Sequence, residues 1–159
     1  MRDYLIAALL TLLPISELRG GIPFLAANGH SLLIAYPLCV GLNFLVAPIT
    51  YVFLNTIHRL FSHMNWYIKL FDAVVMRARH KVENQVERFG YWGILLFVAV
   101  PLPITGAYTG TLGAWILGLS KRKTMLAVAG GVIISGIIVS AVVALGIEAL
   151  GIFIKHIGA

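Results

Sequence analysis

The sequence predicts an all-α integral membrane protein, and three observations support this prediction. Of the 159 residues, 60% are hydrophobic and only 11% are charged, which leaves too little polar surface for a soluble protein of this size. Residues 31–57 and 124–147 are apolar and long enough to cross a bilayer, since about 20 residues at 1.5 Å each match a hydrocarbon core of roughly 30 Å. Two further apolar segments are interrupted by prolines and glycines. We therefore expect one membrane domain over residues 1–159.

The two interrupted segments are predicted to form broken helical hairpins. Residues 4–13 make about two and a half helical turns before Pro14, and a second apolar stretch ends at Ala27. Residues 91–100 are equally short before Pro101, and their second stretch covers 111–117. Each half-helix is long enough for only about half of a bilayer. The first long span contains Pro37 and Pro48, so we expect it to be kinked or locally unwound.

An internal repeat relates the two halves of the chain. At an offset of 89 residues, the segment 13–16 falls on 102–105, and four small residues of the first half fall on the same residue types in the second. These pairs are Gly21 and Gly110, Gly29 and Gly118, Ser31 and Ser120, and Gly41 and Gly130. Proline and glycine interrupt helices, so their coincidence predicts shared backbone geometry. Each half is expected to be a hairpin followed by one transmembrane helix.

Three segments follow from this repeat: repeat 1 over 1–58, a linker over 59–88, and repeat 2 over 89–159. In the linker, apolar residues recur at helical spacing and the stretch after Met76 is strongly charged. This pattern predicts an amphipathic helix lying at the membrane interface, with Trp66 and Tyr67 near the headgroups. A helix that docks a partner protein is the alternative interpretation.

The distribution of lysine and arginine favours hairpins that return to the face they entered from. With such re-entrant hairpins, two basic residues lie on one face and nine on the other, with Arg19 inside the membrane. With hairpins that cross fully, the division is eight against three. The positive-inside rule therefore predicts inverted repeats, a cytoplasmic central loop and both termini outside.

The break of the first hairpin places two charged residues, Glu17 and Arg19, near the middle of the membrane. An unpaired charge there costs at least about 2.5 kcal/mol, so intramembrane ionisable residues are usually functional. We predict a protonatable coupling group at Glu17 and an anion-binding group at Arg19. The alternative is that the two pair with each other or cap half-helix ends. The backbone neighbours predicted to line this site are Gly20, Gly21 and Pro23.

The second hairpin tip carries no charge but is rich in hydroxyls, with glycines that allow a ligand to approach the backbone. The predicted binding residues here are Pro103, Thr105, Gly106, Tyr108, Thr109 and Gly110. Threonines in such hairpins also satisfy freed backbone groups, which is an equally good explanation. Asn43 in the first span either lines the pathway or hydrogen-bonds to a hairpin. The two tips are expected to converge, as in inverted-repeat transporters.

Other classes of function find little support. Ser16 has no neighbouring histidine base and Gly20-Gly21 lacks the lysine of a phosphate-binding loop, so we expect no enzyme. A net charge of +6 is explained by membrane orientation, and no nucleic-acid partner is expected. Cys39 is the only cysteine, and the five histidines lack the spacing of metal ligands. We predict no metal and no cofactor.

The two tip motifs resemble the hallmark motifs of the small multidrug export protein family. They are Glu17-Leu18-Arg19-Gly20-Gly21-Ile22-Pro23 and Pro101-Leu102-Pro103-Ile104-Thr105-Gly106-Ala107-Tyr108-Thr109-Gly110. Ile104 stands where the family commonly has a glycine. That family is itself distantly similar to the DedA and VTT-domain membrane proteins. The resemblance implies a multi-pass protein of the prokaryotic inner membrane with re-entrant hairpins, and DedA relatives are associated with moving polyprenyl-phosphate or other lipids.

These observations lead to a transporter as the first functional hypothesis. It would be coupled to protons or sodium ions, and would export small amphipathic compounds or translocate a phosphorylated lipid, with Arg19 suited to the phosphate. The alternatives are a non-transporting membrane scaffold or assembly protein, and a channel with a hydroxyl-lined filter. Two spans and two hairpins are few elements to enclose a path. We therefore expect a homodimer in contact with membrane lipids, with the small-residue stripes of the last span as candidate contacts.

Overall fold

The computed structural model describes most of the chain. The described residues are 1–57, 60, 63, 68, 71–73, 75–76, 82–83, 86–102 and 105–157, with side chains through 147 except at 57. All regular secondary structure in these residues is helical. The predicted linker helix over 59–88, including Trp66 and Tyr67, lies largely outside the described residues, as does the predicted site residue Pro103.

The first half of the chain forms a broken hairpin followed by a kinked span. Helices α1 (Arg2–Leu12) and α2 (Glu17–Ala27) are separated by a turn at the predicted break. Helix α3 (Leu32–Asn43) ends one turn before α4 (Val46–Val52), and a π-helical turn (Phe53–Ile57) completes the span. The predicted interruption of this span is confirmed, because helical hydrogen bonding breaks just after Asn43 and changes register again at Phe53.

The second half repeats the helix boundaries of the first. It consists of α5 (Tyr91–Ala99), α6 (Ala107–Ile116) and α7 (Lys121–Ile157). The starts of these helices lie 89, 90 and 89 residues after those of α1, α2 and α3. The loops before α3 and α7 contain Gly29 and Gly118, both with positive φ, at +79° and +67°. A repeated left-handed turn thus accounts for the match between Gly29 and Gly118.

Each broken segment folds back so that its two ends meet. In the first hairpin, the Tyr4 hydroxyl and His30 Nδ1 form a 3.1 Å hydrogen bond. The other ring nitrogen, His30 Nε2, lies 3.1 Å from Asp3 Oδ2. In the second hairpin, the Ser120 amide donates to the Tyr91 hydroxyl at 3.0 Å. We call these two closed ends the hairpin mouths.

The two mouths lie at opposite ends of the first span. Helix α3 starts beside the first mouth at Ser31, whose hydroxyl caps Leu33 N. At the other end, Tyr51 of α4 lies under Lys121 Nζ, 5.4 Å from the ring centroid, next to the second mouth. Helix α7 starts there and contacts α3 further along, where the Tyr36 hydroxyl donates to Ile133 O at 3.4 Å. The two long helical segments are therefore antiparallel.

Small residues of α7 allow close packing on two sides, as the sequence predicts. A β-carbon at Gly131 would lie 2.6 Å from Val98 Cβ and 2.7 Å from Leu95 O of α5. A β-carbon at Gly136 would lie 2.8 Å from both Tyr36 and Val40 of α3. These two contacts lie within one protomer, and the dimer contact predicted from the small-residue stripes stays a prediction.

Two helical segments have the length and apolar composition of membrane spans, Leu32–Thr56 and Lys121–Ile147. Many large apolar side chains on these segments are exposed rather than buried, among them Leu33, Val52, Ile137 and Val142. A surface of this kind suits contact with lipid acyl chains better than contact with water. Within the described residues, the predicted all-α membrane fold is thus supported at the level of its spans.

Candidate functional site

Two hydrogen bonds between the two halves join Glu17 to the start of α6. Its carboxylate accepts hydrogen bonds from the backbone amides of Ala107 at 3.2 Å and Tyr108 at 3.3 Å. These amides belong to the first turn of α6 and have no partner within that helix. A carboxylate at a helix amino terminus is also favoured by the helix dipole. Glu17 therefore caps a helix that begins 90 residues later in the chain.

The local backbone directs Glu17 into this position. Glu17 is the first residue of α2 and adopts φ +50°, the only positive φ among the described non-glycine residues. A left-handed conformation at such a residue costs on the order of 1–3 kcal/mol. Only 4% of the Glu17 surface is exposed. The two charge-assisted hydrogen bonds, each worth about 1.5–3 kcal/mol, offset that cost.

Gly106 makes the close approach of Glu17 sterically feasible. It precedes α6 with φ +152°, and a β-carbon there would lie 2.7 Å from Glu17 Cδ and 2.6 Å from Oε1. Any side chain at this position would displace the carboxylate or the start of the helix. The glycine predicted to admit a ligand thus admits the side chain of the other hairpin in this structure.

Arg19 binds the tip loop of the second hairpin. Its Nη1 donates to the carbonyl oxygen of Leu102, and its Nη2 donates to the carbonyl oxygen of Thr105. These carbonyls lie in the tip loop between α5 and α6, where helical hydrogen bonding is interrupted. The planar fork of arginine can reach two acceptors at once, which an ammonium group on a single stem does not match. Arg19 therefore holds the tip loop while Glu17 holds the following helix.

Glu17 and Arg19 do not pair directly with each other. The single salt bridge found among the described residues is His30–Asp3. Of the two structural alternatives drawn from the sequence, mutual pairing is wrong, whereas capping of a half-helix end is confirmed for Glu17. Each charged side chain hydrogen-bonds to backbone groups of the opposite tip, and the two charges attract one another without direct contact.

Two hydroxyls of the second tip satisfy backbone carbonyls. The Thr105 hydroxyl lies 2.9 Å from Val100 O and 2.8 Å from Leu102 O. The Tyr108 hydroxyl donates to Leu12 O, at the end of α1, at 2.7 Å. Tyr108 thus links the tips a third time. Side chains thus donate to backbone carbonyls at both breaks in the described part of the chain.

Asn43 lies beside the Glu17 carboxyl group. The residue is 0% exposed, yet neither its Nδ2 nor its Oδ1 meets hydrogen-bond geometry with any described residue. Thr111 of α6 is equally buried, and its hydroxyl also lacks a partner among the described residues. Buried polar groups of this kind usually have a partner. Both residues therefore add buried polar atoms without a partner of good geometry, and those of Asn43 lie next to Glu17.

A family model described as "Putative small multi-drug export protein" matches residues 17–138. The chain belongs to this family. The matched region begins at Glu17 and includes both tip motifs, so the resemblance drawn from those motifs is confirmed. No curated protein and no solved structure matches the chain. Family membership and the two apolar helices support a membrane protein with an export role at this coarse level.

In this small multi-drug export family member, the predicted site residues separate into two groups. Those brought together at the tips are Glu17, Arg19, Asn43, Thr105, Gly106 and Tyr108. The other predicted site residues that the structure describes lie in helix interiors or contacts between helices. A β-carbon at Gly21 would lie 2.9 Å from Cys39 Sγ, and one at Gly110 would lie 2.7 Å from Val98 Cγ2. Gly20, Pro23 and Thr109 lie within helices α2 and α6.

Sequence reasoning missed several participants of the family member's tip contacts. Leu102 and Ala107 contribute only backbone atoms, and backbone contributions have no side-chain signature. The Tyr4–His30–Asp3 contact at the first mouth was also missed. The sequence could have indicated this contact in one way, because these residues lie at the two ends of a segment that is predicted to fold back.

The contacts that Glu17 and Arg19 make with the second tip can be weakened by protonation or by a ligand. A buried carboxylate is held by two amides, and a guanidinium is held by two carbonyls, at the interface of two hairpins. Neutralising the carboxylate removes the charge that strengthens the amide contacts. An incoming anion competes with Glu17 for the amides, and an incoming acceptor competes with the carbonyls for Arg19. The small export protein thus holds its tips together by contacts that protons or ligands can weaken.

Proposed function

We propose that this protein is a small membrane export transporter whose gate is the contact between the two hairpin tips. The observation that supports this most is the capping of α6 by the Glu17 carboxylate from the opposite hairpin. Intramembrane ionisable residues usually mark transport pathways or proton relays. The gate is closed when Glu17 and Arg19 hold the second tip, and it opens when these contacts are exchanged for a proton or a substrate.

The proposal includes a topology of two inverted repeats with re-entrant hairpins. Three observations support it. Each hairpin mouth is closed by a hydrogen bond, the mouths lie at opposite ends of the first span, and the long segments are antiparallel. The excess of basic residues beside the second mouth assigns that face to the cytoplasm of a prokaryotic inner membrane. Both termini are then outside.

Proton coupling acts through Glu17 in this proposal. Protonation removes the negative charge that favours the α6 amino terminus, so the tips separate more easily. The titratable and charged groups facing Glu17 are Arg19 from its own helix and Tyr108 from α6, and Asn43 from α3 adds a neutral amide. Sodium is the alternative coupling ion, for which the Glu17 carboxylate and the neighbouring Asn43 amide offer oxygen ligands.

Small amphipathic compounds are the proposed substrates. Ile15 at the first tip is 98% exposed, and Leu102 at the second is 55% exposed. The site is therefore flanked by apolar side chains, which suits a substrate that enters from the bilayer. A phosphorylated lipid is the second substrate class, because the Arg19 guanidinium next to an exposed apolar edge matches a phosphate with an acyl or prenyl tail.

Replacement of Glu17 by glutamine tests the transport role. Purified protein in liposomes with a pH gradient is assayed for movement of ethidium, a small amphipathic cation. We expect the gradient-driven flux to fall at least about 5-fold in the Glu17→Gln variant, because glutamine keeps the shape but does not titrate. Glu87→Gln, which removes an exposed carboxylate outside the site, is expected to retain the wild-type flux.

A scaffold without transport activity is the second candidate, and a specific observation favours it. Both charged side chains at the tips, Glu17 and Arg19, already have backbone partners in this structure, so structural capping alone explains them.

A folded Glu17→Gln protein with unchanged flux contradicts the coupling role of Glu17. A wild-type flux equal to that of empty liposomes contradicts export of such cations. A unitary flux at the rate of an open pore identifies a channel instead.

The sidedness of His30 tests the re-entrant topology. A single cysteine at position 30 in a Cys39→Ser background is exposed to a membrane-impermeant thiol reagent on intact cells. We expect labelling from outside, because His30 lies at the first mouth together with Asp3 and Tyr4 near the amino terminus. A cysteine at Arg122, beside the second mouth, is expected to react only after lysis. Labelling of both or neither in intact cells contradicts the inverted arrangement.

A homodimer completes the proposal. Two spans and two hairpins enclose little volume, and Gly131 and Gly136 of the small-residue stripes pack against α5 and α3. The contact between protomers is therefore assigned to the exposed apolar faces of the spans, where lipid is the competing neighbour.

A further inference from the structure

A groove lies beside the second mouth, away from the hairpin tips. It is an open depression of about 270 Å³ between α5 and α7. Its walls are almost entirely apolar or aromatic, with a single charged side chain. The lining residues are Tyr91, Trp92, Leu95, Lys123, Leu126 and Ala127. The volume is just below the roughly 300–1,000 Å³ of sites that enclose a small molecule, so it suits one segment of a longer ligand.

Lys123 is held at the rim of this groove. Its Nζ lies 5.5 Å from the centroid of the Tyr91 ring, and the Tyr91 hydroxyl is fixed by the Ser120 amide. A cation over an aromatic face is attracted by the ring quadrupole. Among the described acidic residues none forms an ion pair with Lys123. The charge of Lys123 is thus positioned but not neutralised.

The side chains below Lys123 present an interfacial aromatic ring and an apolar wall. Trp92 is 71% exposed and Leu126 is 74% exposed. Exposed tryptophan is enriched at the level of lipid headgroups, where its ring is apolar and its N–H is a donor. One turn of α7 separates Lys123 from Leu126 and Ala127, so charge, indole and apolar wall follow one another into the membrane.

We propose that this groove binds one anionic phospholipid of the surrounding leaflet. The lipid phosphate pairs with Lys123, with the Trp92 indole at headgroup level, and an acyl chain lies along Leu95 and Leu126. Basic pockets between transmembrane helices bind anionic headgroups in this manner. The site involves none of the tip residues, and it does not depend on the transport proposal.

The test uses quenching of Trp92 fluorescence by phospholipids with brominated acyl chains. The protein carries Trp66→Phe and Trp115→Phe, so Trp92 is the only tryptophan. We expect brominated phosphatidylglycerol to occupy the groove about 5-fold more strongly than brominated phosphatidylcholine, the effect of one lysine near an anionic lipid surface. Lys123→Gln is expected to remove this preference, and Lys123→Arg to retain it.

Arg122→Gln is the matched control, because Arg122 is an adjacent exposed cation that does not line the groove. We expect it to keep the preference. Equal quenching by both lipids in the starting protein overturns the proposal, and so does a preference that survives Lys123→Gln. A loss as large in Arg122→Gln shows diffuse attraction and also overturns it. If the tryptophan substitutions impair folding, native mass spectrometry replaces the fluorescence assay. It counts the lipids retained by the unmodified chain and by its Arg122→Gln and Lys123→Gln variants, with the same outcomes expected.

Discussion

Gly106→Ala is expected to lose about 3 kcal/mol of stability, which corresponds to a fall in melting temperature of roughly 6–12 °C for a chain of this size. The new β-carbon would lie 2.6 Å from Glu17 Oε1 and closer still to Oε2, and alanine is strained at φ +152°. Either the carboxylate leaves the two amides or α6 moves away from it. Thermal unfolding of the detergent-solubilised protein, followed by circular dichroism, measures the effect.

Gly41→Ala provides the control for this experiment. Gly41 lies in α3 with an ordinary helical φ, and a β-carbon at this position would have no neighbouring atom within 4 Å. Alanine is favoured over glycine in a helix by up to about 1 kcal/mol, so we expect unchanged or slightly higher stability. A Gly106→Ala protein as stable as Gly41→Ala would show that the Glu17 contact contributes little to the native state.

Arg19→Ala is expected to destabilise the protein by about 1.5–3 kcal/mol, the usual value of hydrogen bonds to a charged group, because Arg19 is only half-buried. The carbonyls of Leu102 and Thr105 lose the guanidinium as a donor, and the negative charge of Glu17 remains without its nearby cation. Arg19→Lys is expected to recover only part of this loss, because one ammonium group does not reproduce the two-pronged contact. The same thermal measurement compares both variants with the wild type.

Arg88→Ala is the matched control for Arg19. Arg88 is exposed and lies 5.2 Å from the Phe89 ring centroid, an interaction at the surface. We expect a change within about 0.5 kcal/mol, as for most surface substitutions. If Arg19→Lys proved as stable as the wild type, charge alone and not the fork geometry would hold the second tip.

Much of the fold was predictable because helix breakers and apolar length are local properties of a sequence. Pro14 and Pro101 marked the two breaks, and the glycine matches predicted the repeated helix starts that are observed. The break in the first span followed from its prolines. The π-helical turn at Phe53–Ile57 was not predicted, since a change in hydrogen-bond register has no residue signature of its own.

The residues of the site were predictable from the sequence, but the atoms that they contact were not. Glu17 and Arg19 were conspicuous because charged residues are rare inside a membrane, and Gly106 because glycine admits close approach. Which atoms they contact depended on tertiary geometry. Their main partners are backbone groups of Leu102, Thr105, Ala107 and Tyr108, and any residue offers the same amide or carbonyl. The idea that the charges pair with each other was therefore reasonable from the sequence and incorrect in the structure.

The asymmetry of the tips limits how far the two halves of the chain can match. Both charged side chains come from the first half, and the second half contributes backbone atoms and a glycine. Two identical tips facing each other would bring two carboxylates and two guanidiniums together in a low-dielectric interior, where like charges repel strongly. The halves can therefore share their helix breakers, but only one of them can carry the ionisable residues of the site.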